Sequence, residues 1–261
     1  MSKGIIKGFP KNTLNSQENA ISVENNTSNG NFSSMGEKSS IGTTIQGEDL
    51  WEGVATQLPV PPDAGEQMTV VSSSAADAPV LGGVITIRIE YLDENGLQQT
   101  EDIAMNGTTP VDTTSLKISF VNDMYALTVG ANGVAAGNII IYRKGDAARI
   151  YNMVSIGGNK SLVINRKVPS NKILFITGWG ASEANNKKTS YRLRATCNPD
   201  GNELVQGFLF KRSLLATGTT IAEEIDPPIK ICSGALVKIS AWATGGGGTG
   251  SGSFNGYLVD A

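Results

Sequence analysis

Carboxylates are the groups in this 261-residue chain whose types and spacing suit acid–base chemistry. Glu48, Asp49 and Glu52 flank Trp51, and Glu223-Glu224 stands close to Asp226. Paired carboxylates can hydrolyse glycosidic bonds, and an aromatic beside them can stack on a sugar ring. No histidine is present. That removes His-based triads, His-containing zinc sites and the usual proton shuttle near neutral pH. Three tryptophans and 6% aromatic residues are thin for a carbohydrate cleft. The expectation is a Trp51 that anchors a strand, a solvated loop at Glu223-Glu224, and no catalytic residue.

Other chemistry-bearing residues are equally sparse. Cys197 and Cys232 are the only cysteines, with no CxxC spacing. They are expected as small buried thiols in reduced form, with a disulfide left open if their strands are neighbours. The run from Gly245 to Gly252 contains a GxGxxG match at Gly245, Gly247 and Gly250. A dinucleotide site needs that turn inside a βαβ unit, whereas Phe254 to Tyr257 follows at once, so a flexible β–β loop and no cofactor are expected. Asp93-Glu94-Asn95-Gly96 lacks the later glutamate of a calcium loop, and no metal is expected. Arg192 and Arg194 lie two apart and point from one strand face, expected to be solvated.

The elements that must position these residues read as strands. Ile85, Ile87, Ile89 and Tyr91 alternate with Thr86, Arg88 and Glu90, and Asp93 to Gly96 supplies a hairpin turn. Leu116 to Phe120 and Asn138 to Tyr142 follow the same pattern. So do Leu162-Ile164, Ile173–Ile176, Tyr191–Ala195, Phe208–Phe210, Val237–Ala241 and Phe254–Val259. Asp226-Pro227-Pro228 reads as a turn. Thirty-one glycines suit many tight turns, and no segment sustains a helical period. The fold class expected is all-β: two antiparallel β-sandwich units (jelly-roll or Ig-like) preceded by an extended N-terminal arm. The boundaries are residues 1–40 for the arm, 41–155 for the first unit and 156–261 for the second.

From Asn12 to Ser40 apolar residues are scattered singly among Asn, Ser, Thr, Glu and Gly. Such a segment gains order by binding a neighbour rather than by burying its own core. Ile5, Ile6, Phe9 and Phe32 are the expected plugs of that arm. Only 17% of residues are charged and the net charge is −3, which offers no general attraction to nucleic acid or to a membrane surface. Met1 to Gly4 precedes no signal-peptide core, and no apolar run is long enough to span a bilayer, which implies synthesis in a cytoplasm.

The runs IGTTIQGEDLWEG (41–53), VVSSSAADA (70–78), YLDENG (91–96), MNGTTPVDTT (105–114) and ANGVAAGNI (131–139) resemble stretches of tailed-bacteriophage virion proteins. The tail GYLVD (256–260) is similar. The resemblance covers residues 41–140 closely and the second half loosely. It implies a β-sandwich component of the particle and carries no catalytic residues. The expected role is a capsid decoration (cement) subunit in the virion, bound to the major capsid protein and to sister copies, with a homotrimer expected. The alternative is a neck, tail or fibre component that binds a host receptor or glycan. In that case Trp179 or Trp242 would be the aromatic contact.

Overall fold

The structure, a computed structural model, describes residues 31–261. Sixteen strands run through these residues and none of them is helical. The first two are β1 (Asn31–Ile41) and β2 (Glu48–Asp49). A middle set holds β3 (Met68–Ser72), β4 (Val84–Leu92), β5 (Gln98–Ala104), β6 (Val111–Asp112), β7 (Phe120–Val129), β8 (Ile139–Arg143) and β9 (Asp146–Val154). The last set holds β10 (Arg166–Lys167), β11 (Lys172–Glu183), β12 (Thr189–Cys197), β13 (Leu204–Ala216), β14 (Thr220–Ile231), β15 (Leu236–Ala243) and β16 (Gly248–Asp260).

Four antiparallel sheets result. The middle set forms β6-β3-β8-β9 and β5-β4-β7. Ile87 and Ile89, Met124, Ile139 and Ile141, and Tyr151 from these two sheets share one buried cluster. The period-2 alternation of β4 does this directly, because every second side chain faces the same way. The β4–β5 turn is held by Asp93, whose carboxylate accepts the N–H groups of Asn95 and Leu97 at 2.9 and 3.0 Å.

The other two sheets are β1-β16-β11-β14 and β10-β15-β12-β13, with β2 also paired to β15. Leu174 and Phe254 from the first, and Tyr191, Leu193 and Ile239 from the second, lie in a second buried cluster. Burying each such side chain stabilises the fold by roughly 1.5–3 kcal/mol.

The N-terminal segment differs from the expected division at residues 40 and 41. Residues 31–41 are a strand along β16, from Asn31 opposite Tyr257 to Ile41 opposite Gly248. Ile41 and Leu50 join the cluster of the last set, not that of the middle set. The pattern was hidden because Ser34, Gly36 and Lys38, three successive inward residues between Phe32 and Ile41, are not apolar. A Cβ at Gly36 would stand 2.3 Å from the Leu50 carbonyl oxygen, so the strand passes too close for any side chain.

The middle and last sets meet through polar contacts. The Asn122 side chain donates to the Lys167 carbonyl at 3.0 Å and accepts the Lys167 N–H at 2.8 Å. Ser170 donates its N–H to Gly96 and its hydroxyl to Asn95, both at 2.8 Å.

Candidate interaction surface

The outer face of the β10-β15-β12-β13 sheet carries a row of rings and cations. On β12, Tyr191, Leu193 and Ala195 point into the core, so Arg192 and Arg194 point outward. The Arg192 guanidinium lies 4.2 Å from the Phe210 ring centroid and 4.1 Å from that of Trp242. Arg194 approaches the same Phe210 ring at 5.1 Å, and the Lys238 ammonium stands 4.4 Å from Phe208. A cation over an aromatic face contributes about 0.5–1 kcal/mol when exposed and more when desolvated. Burial, reinforced by the neighbouring Arg192 charge, lowers the proton affinity of Arg194, and Asp49 opposes that.

Beside this row, the outer edge of β13 pairs with no other strand among the described residues. Phe210 is 59% exposed and Leu204 56%. Leu209 and Leu215 are also exposed. Edge strands are normally blunted by charge, proline or cover. On β13 these apolar side chains flank the charged pair Lys211-Arg212, and with Arg192 and Trp242 alongside they have the composition of a protein-binding patch. The sequence pointed to Arg192, Arg194 and Trp242 but not to the Phe210 ring that both arginines share, nor to Phe208 under Lys238. The readable signal was an FLF run on one strand and an RLR run on another.

Of the two expected aromatic contacts, Trp242 is half-buried on this face, with Arg192 against its ring. Trp179 is not a surface platform: it is 3% exposed and belongs to the core. The cause is a bulge. The pairing of β11 with both β14 and β16 shifts between Ile176 and Gly178. The shift swaps the faces, so 174 and 176 point inward before it and 179 and 181 after it. The indole N–H of Trp179 then donates to Glu223 at 2.8 Å. Glu223 and Glu224 accordingly lie within β14 rather than in a solvated loop. Asp226-Pro227-Pro228 is no turn but an unpaired stretch of the same edge strand, where prolines withhold no ladder donor.

Of the expected arm contacts, Phe32 is half-buried against Phe254, with ring centroids 6.0 Å apart. Ile5, Ile6 and Phe9 lie outside the described residues.

The carboxylates around Trp51 are engaged in holding the chain. Glu48 accepts the Gly42 N–H at 2.9 Å and faces Lys38 at 3.5 Å. Asp49 accepts from Leu58 and Asn165, both at 2.9 Å, and pairs with Lys238 at 2.7 Å. Glu52 accepts the Ser155 hydroxyl. Trp51 is buried with Leu58 and Val163, its N–H bonded to Ala55.

The glycine run is the β15–β16 connection followed by the start of β16. Gly245, Gly246 and Gly247 all adopt positive φ, which only glycine adopts at no steric cost. Cys197 and Cys232 are joined as a disulfide, with Cα atoms 5.8 Å apart. The expectation of free thiols fails because the ends of β12 and β14, 35 residues apart in sequence, meet across the core.

No family model and no curated protein matches this chain. Among solved structures it is similar to the N-terminal CBM22-1–CBM22-2 tandem domain of Xyn10C from Paenibacillus barcinonensis. That similarity covers 87% of this chain and 94% of the other at 10% identity, with a TM-score of 0.23.

Proposed function

We propose that this chain is a non-catalytic structural subunit of a tailed-bacteriophage particle, a capsid decoration protein built from two β-sandwiches. Each sandwich corresponds to one pair of sheets around one apolar cluster. The observation that carries a binding role is the Arg192 guanidinium clamped between Phe210 and Trp242 beside the open β13 edge. Rigid aromatics and arginine give large contact area at low entropic cost, the habit of interface hot spots. The turn-and-strand runs at 41–53 and 105–114 supply the link to virion proteins. In a particle, modest contacts repeated over many symmetric copies add up to firm attachment.

Quantitative mass spectrometry of purified particles tests this reading. A copy number comparable to that of the major capsid protein supports decoration. A few copies per particle would move the protein to the neck, tail or a fibre. Complete absence from particles would overturn the virion reading.

A further inference from the structure

The β13 edge lacks the protection that other open edges carry. The edge strand β5 begins with the polar run Gln98 to Asp102, and β14 carries Glu223, Glu224, Asp226 and two prolines. β13 has 13 residues and no proline. Its two charged side chains are tied to their own chain. Lys211 Nζ donates to the carbonyls of Cys197 and Asn198 at 2.8 and 3.0 Å, and Arg212 faces Glu223 at 3.6 Å. A long open edge with apolar side chains is a template for a further strand.

Charge names the strand that fits. On the outer face beside β13, Arg192 packs on two rings and makes no ion pair among the described residues. β14 holds the complementary charge. Glu223 stands opposite the inward Trp179, so Glu224 points outward. Glu224 and Asp226 are exposed, and neither has an ion pair among the described residues.

Both strands border the same open side of one sandwich: residues 217–219 join them, and the Arg212–Glu223 pair spans them. A two-fold axis along the strands therefore sets β13 of each copy against β14 of the other, antiparallel, and does so twice. Such an axis keeps every residue at its own height. The Arg212–Glu223 pair thus gives the register, with Glu224 of one copy level with Phe210 to Arg212 of the other. Arg192 stands one strand further in, about 10 Å of backbone from Glu224, a gap that two long side chains close. The other two-fold, β13 against β13, would also set the acidic strand β14 against its own copy, which like charge opposes.

We infer that this protein pairs with a second copy of itself through these edges, with Arg192 and Glu224 as the charge pair and Leu209, Phe210 and Leu215 as apolar contacts. The inference rests on the reading of the β13 face as a binding surface, and the virion assignment can fail without it.

Sedimentation velocity of the full-length protein is expected to show a dimer. Arg192→Glu and Glu224→Arg should each weaken it about tenfold or more, and the double variant, with the pair reversed, should recover most of the loss. Leu209→Lys, which blunts the edge and leaves the pair alone, should also weaken it. Unchanged melting temperatures show that the variants fold. If the Arg192 variant does not, a greater loss with Glu224→Arg than with Glu224→Gln supports the pair, and equal losses would overturn it. A monomer at about 0.1 mM, a trimer, or a double variant as weak as the single ones would also overturn the inference. Absence of the chain from purified particles, with the dimer intact, would count against the virion reading and support self-pairing as a property of the chain alone.

Discussion

The indole N–H of Trp179 reaches the Glu223 carboxylate across 2.8 Å and ties β11 to the edge strand β14. Glu223 also faces Arg212 of β13 at 3.6 Å, so one carboxylate links both sheets of the last set. Trp179→Phe keeps most of the apolar volume and removes only the donor, so a loss of about 1–2 kcal/mol is expected. Trp179→Ala should cost about 3–5 kcal/mol through the cavity it leaves. Urea unfolding followed by circular dichroism measures both. Equal losses for the two variants would mean that packing contributes nothing at this position.

Replacing Arg192 or Phe210 by alanine should change stability by no more than about 1 kcal/mol, since both project from the outer face of the sheet. Either change should nonetheless weaken attachment to particles or self-association by tenfold or more, as expected of interface anchors. Sedimentation velocity and particle occupancy are the readouts. Full occupancy with the Arg192→Ala/Phe210→Ala double variant would remove this face from the assembly.

The Cys197–Cys232 bond closes a loop whose ends are 35 residues apart in sequence. On the chain-entropy account such a cross-link stabilises by about 4 kcal/mol. The Cys197→Ala/Cys232→Ala variant should lose that amount in denaturant titration, and adding reductant to the native protein should reproduce the loss. Two titratable thiols in the denatured, unreduced protein would show that the bond does not form in solution.

Glu183 is 2% exposed and accepts the N–H groups of Asn185, Lys187 and Gly218 at 2.9, 3.0 and 2.8 Å. Burial alone would raise its pKa, but these donors, with Thr249, more than offset that and hold it below the ordinary carboxylate value. A carboxyl with a depressed folded-state pKa stabilises the fold above its unfolded pKa, near 4.3. That stability is lost as pH falls through the lower folded value. Melting temperature should therefore drop below about pH 4.5. Glu183→Gln should lower stability by about 2 kcal/mol at pH 7 and flatten the acid limb. A Glu183→Gln acid limb as steep as that of the parent protein would assign the acid sensitivity elsewhere.

Local pattern determined much of this protein. Ile87, Ile89 and Tyr91 on β4, Tyr191, Leu193 and Ala195 on β12, and the turn at Asp93–Gly96 are each set by side chains within a few residues. Alternation and turn chemistry need no distant partner. The direction of Arg192 and Arg194 out of one face was legible for the same reason.

Tertiary structure alone decided the rest. The strand at 31–41 carries Ser34, Gly36 and Lys38 on its inner face between Phe32 and Ile41, so its hydrophobic period is interrupted; pairing with β16 makes it a strand. Trp179 became core because a bulge at Thr177 swaps the faces of β11, and a one-residue shift of register moves every later side chain to the other side of the sheet. The Phe210–Arg192–Trp242 row, the Cys197–Cys232 bond and the Arg212–Glu223 pair each join residues from different strands. Such contacts depend on which strands pair and in which register, and that is settled by the summed burial of the whole fold rather than by any single segment.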